Sequence, residues 1–360
     1  MGETMNKLIS ALAGFCLAAY ASMPAYAFTP LQTPILSTAA VTPNVMIMLD
    51  NSGSMDEIIW HEGYSDAVAY GTVDYCNGTN GSGNCNSWAV VNAGSSYRPN
   101  NFVRANCPSS SERRFRVGLT QRCMTIYDPV GGNNTRYKGN YIRYVVANAV
   151  PNSALVNDYR MRVAREVTKS IVANNRGLRY GLFSFNTASN QAGGSLLRDV
   201  KNFSESKRTD GTTEVTIAQA QTNYDQFVSS VNGLTSSTWT PLSEAYYEVT
   251  RYFRGMSRFQ GSGSGNYTSP IQYRCQRNFG IVVTDGLPTY DRTFPNNDPL
   301  RDNPAVAGGN NLPNWDGVNN DGNNLNGDNE GDTLYLDDVA QFGYDVDLRD
   351  ISTADQAGKS

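Results

Sequence analysis

Apolar residues along this chain come in short runs, and two of those runs end abruptly at a carboxylate. Residues 44–49, NVMIML, carry five consecutive apolar side chains before the sequence turns to DNSGSM at 50–55. A run with no polar face predicts a strand buried on both sides, as the strands of parallel sheets are. Residues 278–284, NFGIVVT, repeat the pattern as a second fully buried strand and stop at Asp285 and Gly286. Residues 179–186, RYGLFSFN, predict a further strand and 195–203 another. Elsewhere the period is helical. Leu155, Tyr159, Val163, Val167 and Ile171 recur every four residues across 153–174, which predicts a helix capped by Asn152 or Ser153. A short helix is expected from Asn223 to Leu234, and a second over 241–254, opened by Pro241. A last helix is expected over 334–346, with Leu336, Val339, Phe342 and Val346 on a rough apolar face. Buried strands alternating with amphipathic helices predict an α/β fold, doubly wound, with a mostly parallel sheet flanked by helices.

Two long stretches interrupt that alternation. Residues 56–150 are polar, rich in Gly and Asn, and predict an insertion with short strands of its own; residues 286–332 are a second insertion rich in Asn, Asp and Gly. The α/β domain thus spans 44–350, after an extended lead-in at 28–43 with Pro30, Pro34 and Pro43, and before a tail at 351–360. The N-terminus predicts export. Lys7, the apolar run 8–23 and Ala25-Tyr26-Ala27 form a signal peptide over 1–27, with the mature chain starting at Phe28. No other apolar run approaches the length of a membrane span.

Composition adds exclusions. A formal charge of −4 gives no electrostatic case for nucleic acid or an anionic membrane surface. Export permits disulfides. Five cysteines follow the cleavage site, and four of them lie in the first insertion. Cys76 with Cys85 and Cys107 with Cys123 is the favoured pairing, the other connectivities staying open, and Cys275 is left over. His61 is the single histidine and there is no close CxxC pair, so zinc is disfavoured.

The candidate chemistry sits at the strand ends, where open α/β sheets bind ligands. Asp50 and Asp285 end two buried strands; Ser52 and Ser54 follow Asp50, and Thr240 precedes Pro241 in TSSTWTPLSEAYY. Two carboxylates and three hydroxyls form an all-oxygen set that suits Mg2+, Mn2+ or Ca2+. Gly53 would let the turn fold back so that both serine hydroxyls point the same way. Trp239, beside Thr240, reads as packing.

DNSGSM, TWTPLSEA and IVVTDGLP resemble, in that order, the three loops of the metal-ion-dependent adhesion site of von Willebrand factor A domains. The resemblance implies that Ser52, Ser54 and Thr240 place hydroxyls on the metal, while Asp50 and Asp285 contact it directly or through water. One coordination position would be left for a carboxylate from a partner. With the signal peptide, the Cys-bearing insertion, RNFGIVVTDGLPTYD and LDDVAQFGYDVDLR, residues 40–350 resemble the N-terminal part of type IV pilus tip and assembly proteins of Gram-negative bacteria. That family implies a role in pilus biogenesis or adhesion at the periplasm, outer surface or pilus tip, with minor pilins or a host surface ligand as partners, and a propeller domain following, which the family's calcium-linked role in pilus retraction needs.

Three further readings complete the expectation. Asn326, Asp328, Glu330 and Asp337 echo a calcium loop, with Asn in its first position and Asp in its last; the same residues also read as a solvated loop. A surface adhesin or matrix protein outside the pilus system would use the same metal site. A metal-dependent phosphohydrolase with Ser52 as nucleophile is disfavoured, because the sequence puts no second-metal carboxylates, histidine cluster or phosphate-clamping arginine beside either strand end. The chain therefore reads as a binding module rather than an enzyme.

Overall fold

The computed structural model describes residues 41–348, apart from 189–191, 208–210, 261–262, 292, 296–297, 301, 304–309, 313, 316–334 and 347. The expected signal peptide, residues 28–40 of the lead-in, the tail, and Asn326, Asp328 and Glu330 lie outside the described residues. In chain order the strands begin with β1 (Asn44–Leu49), β2 (Asp74–Thr79), β3 (Cys85–Val90), β4 (Ser96–Tyr97), β5 (Glu112–Val117), β6 (Thr120–Thr125) and β7 (Tyr137–Lys138). They continue with β8 (Arg179–Phe185), β9 (Gly194–Asn202), β10 (Ser206–Lys207), β11 (Thr213–Val215), β12 (Asn278–Val283), β13 (Asp302–Asn303) and β14 (Asn310–Asn311). The helices are α1 (Gly139–Ala147), α2 (Arg160–Asn174), α3 (Ile217–Gly233), α4 (Leu242–Arg254) and α5 (Leu336–Asp345).

β1 lies inside a four-stranded sheet of order β12-β1-β8-β9, parallel to both neighbours, with β9 antiparallel at the far edge. Alternation along β1 sends Val45, Ile47 and Leu49 into a core with Met161, Ala164 and Val172 of α2 and Phe227 and Val231 of α3. Met46 and Met48 point the other way, against Leu242, Ala245, Val249, Tyr252 and Phe253 of α4. Helices cover both faces of β1, which is why the run tolerates no polar residue. Val339 and Phe342 of α5 pack with Tyr247 of α4 and with Trp315. The architecture is mixed α/β with a partly parallel sheet.

Several elements differ from the pattern reading. α2 begins at Arg160, and Leu155 packs instead against the core of the first insertion. Its buried face is Met161, Ala164, Thr168 and Val172, whereas Val163, Val167 and Ile171 are exposed. An every-four repeat drifts about 40° around a helix at each step, so it cannot stay on one face, while i, i+3, i+7, i+11 runs nearly along the axis. α3 starts six residues before Asn223, held by a capping box in which Thr216 accepts from the Gln219 N–H and the Gln219 side chain accepts from the Thr216 N–H. Pro241 caps α4 rather than entering it, and Gly255, at φ +69°, ends it. β12 is not fully buried: Phe279 and Ile281 are 47% and 41% exposed, because among the described residues only β1 pairs with it.

The first insertion has a core of its own. β2, β3, β5 and β6 form an antiparallel sheet of order β3-β2-β5-β6. α1 lays Tyr141, Ile142, Val145 and Val146 against Val73, Val91, Phe102, Phe115, Met124 and Ile126. Disulfides join Cys76 to Cys85 and Cys107 to Cys123, while Cys275 is free and exposed. Among the described residues no helix is long and apolar enough to cross a membrane.

Candidate metal centre

The parallel register decides where the two aspartates meet. Leu49 is level with Val283, so β1 and β12 end together. The Asp50 N–H continues the ladder by donating to the Val283 carbonyl at 2.9 Å. The Thr284 hydroxyl then donates to Asp50 Oδ2 at 2.6 Å, and the Ser52 N–H to Asp50 Oδ1 at 2.6 Å. Both Asp50 oxygens are thus engaged, one within its own loop and one by the loop after β12. Such a carboxylate can serve a cation by holding the loop and its charge in place, with contact through water.

The remaining donors converge. Ser52 Oγ and Ser54 Oγ lie 2.8 Å apart, and the Ser54 hydroxyl donates to Asp285 Oδ1 at 2.9 Å. Thr240 is buried and lines the same cleft of about 500 Å3 as Ser52, Gly53, Ser54 and Thr289. Backbone hydrogen bonds lock the three loops together. The Gly53 N–H donates to the Thr238 carbonyl at 3.0 Å, and the Ser237 N–H to the Asn51 carbonyl at 3.0 Å. The Thr289 N–H donates to the Thr240 carbonyl at 2.9 Å, and the Thr289 hydroxyl accepts from the Thr240 N–H at 3.0 Å. The five sequence-predicted residues therefore share one end of the sheet. Their chemistry, hydroxyl and carboxylate oxygen without nitrogen or sulfur, fits a hard divalent cation such as Mg2+, Mn2+ or Ca2+.

No protein-family model, curated protein or solved structure matches the chain. The site is therefore read from its own geometry.

That geometry includes residues the sequence did not point to. Asn51, fully buried, accepts the Phe185 N–H at 2.9 Å and donates to the Phe185 carbonyl at 3.3 Å, pinning the first loop to the end of β8. Arg160 donates to Asp285 Oδ2 at 2.6 Å and pairs with Glu57 at 2.8 Å. Arg136 lies against Gly53, where an added Cβ would sit 2.8 Å from Nη2. An added Cβ at Gly53 would thus meet only the end of a long side chain that can shift, and the Gly53 φ is not left-handed either. The two arginines also correct the expectation that none stands near the strand ends. Trp239 is not packed away: it is 42% exposed on the cleft wall, with its ring 4.8 Å from that of Tyr290.

Electrostatics follow from burial. Desolvation pushes the Asp50 carboxyl up, against the hydrogen bonds from Thr284 and Ser52, and the nearby charge of Asp285 adds to the rise. Burial also raises Glu57, opposed by Arg160. Asp291 anchors the third loop to the start of α4 by accepting the N–H groups of Ser243 at 2.7 Å and Glu244 at 2.8 Å. Complete burial nevertheless pushes it up to about 7.

Other metal candidates fare differently. Asp337 is an exposed residue in the first turn of α5, and its three companions in the calcium-loop echo lie outside the described residues. Cys107, Glu112 and Cys123 lie close together, but the two sulfurs are bonded to each other and offer no thiolate.

Proposed function

We propose that this chain is an exported, non-catalytic binding module. In it Asp50, Ser52, Ser54, Thr240 and Asp285 hold one divalent cation, Mg2+ or Mn2+ before Ca2+, and an acidic group of a protein partner completes its shell. The observation that carries this reading is the convergence of Ser52 Oγ, Ser54 Oγ and Asp285 Oδ1 at hydrogen-bond spacing on the crest of the sheet. The finer fold assignment, a doubly wound von Willebrand factor A domain, belongs to the same proposal. It is supported by helices on both faces of β1 and by the metal-site loops at the carboxyl ends of the parallel strands. The resemblance to type IV pilus tip and assembly proteins makes a minor pilin or a host surface ligand the partner to try first. Export agrees with two disulfides in the first insertion.

The ion would supply positive charge for the incoming carboxylate. The chain's own residues do the rest: Asp50 and Asp285 balance the charge, and the interlocked loops hold the hydroxyls in place. Calorimetry with Mn2+ tests the site. One ion per chain is expected, with binding abolished in Asp50→Ala; an Asp50→Ala chain that binds as well as the parent would end the proposal. Arg136 at the cleft gives one specific reason to test a second reading, metal-dependent phosphoester hydrolysis. Turnover of a generic phosphate ester that requires Mn2+ and Ser52 would replace the binding reading.

A further inference from the structure

Arg160 occupies a place that helix electrostatics disfavour. It is the first residue of α2, where the positive end of the helix dipole lies, and no acidic residue follows in that first turn. What holds it there is outside the helix. Nη1 donates to Asp285 Oδ2 at 2.6 Å and Nη2 pairs with Glu57 Oε2 at 2.8 Å. The guanidinium also lies over the Trp60 ring, 4.8 Å from its centroid, while Trp60 Nε1 donates to Glu57 Oε1 at 3.2 Å. Asp285 is therefore divided between the Ser54 hydroxyl on Oδ1 and a guanidinium on Oδ2.

A divalent ion taking Asp285 meets that guanidinium at once. Both are cations and both want the same carboxylate. The contacts are largely shielded from water, with side-chain exposures of 19% for Arg160 and 10% for Asp285, so screening is weak. Glu57 offers Arg160 a second carboxylate on its far side. Glu57 and Trp60 lie on the segment that leaves the first loop for the first insertion. The Ile58 N–H donates to the Arg136 carbonyl at 3.0 Å, and Trp60 packs on the insertion's core.

We propose that Arg160 is a built-in competitor for the divalent cation. It neutralises Asp285 when no ion is bound and yields that carboxylate when one arrives. It then transmits the change through Glu57 and Trp60 to the root of the insertion. The inference rests on the proposed metal site. The coupling is reciprocal: the bound ion weakens the Arg160–Asp285 contact by the same factor by which that contact weakens the ion.

The test uses the mature chain, titrated with Mn2+ by calorimetry and, with Trp239→Phe in every sample so that the cleft-wall indole does not report the ion directly, by tryptophan emission. Arg160→Met keeps much of the side-chain length without the charge, and Arg160→Gln is the second variant should the first fold poorly. Each is expected to bind Mn2+ about tenfold more tightly than the parent. In the parent, emission should change in step with the binding isotherm as the guanidinium leaves the indole. That change should vanish in both Arg160 variants and in Trp60→Phe. Equal or weaker Mn2+ affinity in the Arg160 variants would overturn the competitor while leaving the metal site standing. So would an emission change that survives Trp60→Phe. If neither parent nor variants bind Mn2+, the metal site itself falls, and the competitor with it.

Discussion

Asn51 offers a sharp test of how the first loop is held. Its neighbours Asp50 and Ser52 belong to the candidate site, yet its own side chain faces β8. β1 ends at Leu49, level with Ser184 of β8, and from there the Asn51 side chain continues the ladder by bonding both backbone groups of Phe185. Asn51→Ala removes both bonds and leaves a buried N–H and carbonyl short of a partner. An unpaired buried polar group costs about 1–3 kcal/mol. The Ser184 hydroxyl lies 3.4 Å from the Phe185 carbonyl and relieves part of the acceptor's loss. A total of about 2–4 kcal/mol follows, and for a domain of this length the unfolding midpoint should drop by roughly 3–6 °C. Asn51→Asp keeps the acceptor for the Phe185 N–H but sets a carboxylate oxygen against the Phe185 carbonyl, so it should be no better. Thermal denaturation followed by circular dichroism measures this, and Mn2+ calorimetry on the same samples should show weakened binding. A variant that melts within about 1 °C of the parent would refute the reasoning, because so small a shift corresponds to no buried unpaired group at all.

Asp291 gives a pH dependence. Its folded pKa, about 7, lies above the ordinary aspartate value, so its favourable contribution is complete in acid and is lost as pH rises through 7. Stability, read from thermal midpoints, should therefore fall between about pH 4 and 7, by on the order of a few kcal/mol over the whole window and by only about 1 kcal/mol between pH 6 and 8, and Asp291→Asn should flatten the profile. Breaking the Cys76–Cys85 bond with paired serines should cost about 2–3 kcal/mol. Hydrogen exchange should show the loss in β2 and β3, with β1 and β8 unchanged, since the insertion has its own core.

How far the sequence foretold this molecule depends on the range of each interaction. The strand ends were legible because each apolar run stops at a carboxylate, although only β1 proves buried on both faces, and the parallel register brings both strands to an end at the same level. Asp50 and Asp285 are brought together by that register. Arg160 and Arg136 were not legible. Arg136 belongs to the first insertion and Arg160 to the helix that follows it, and both reach the strand ends through contacts distant in sequence. The first insertion read as a polar segment with short strands of its own, but its core was not legible because Tyr75, Tyr97, Phe102 and Phe115 stand singly among polar residues. They meet only when short antiparallel strands bring their rings within 5–6 Å of one another, as for Tyr75 and Phe102 at 5.2 Å. The misjudged face of α2 has a similar origin. Periodicity identified a helix but not the side that small residues such as Ala164 and Thr168 let approach the sheet.

The proposed site requires that three loops share one divalent ion. Crystals of the protein soaked in Mn2+ and measured at the manganese edge test this. One anomalous peak is expected at the crest of the sheet, about 2.1–2.3 Å from oxygens of Ser52 and Ser54, with Asp50, Thr240 and Asp285 around it. The Arg160 guanidinium is expected to be turned away from Asp285 and to remain with Glu57. A map with no peak there, or with its only peak elsewhere in the chain, would contradict it.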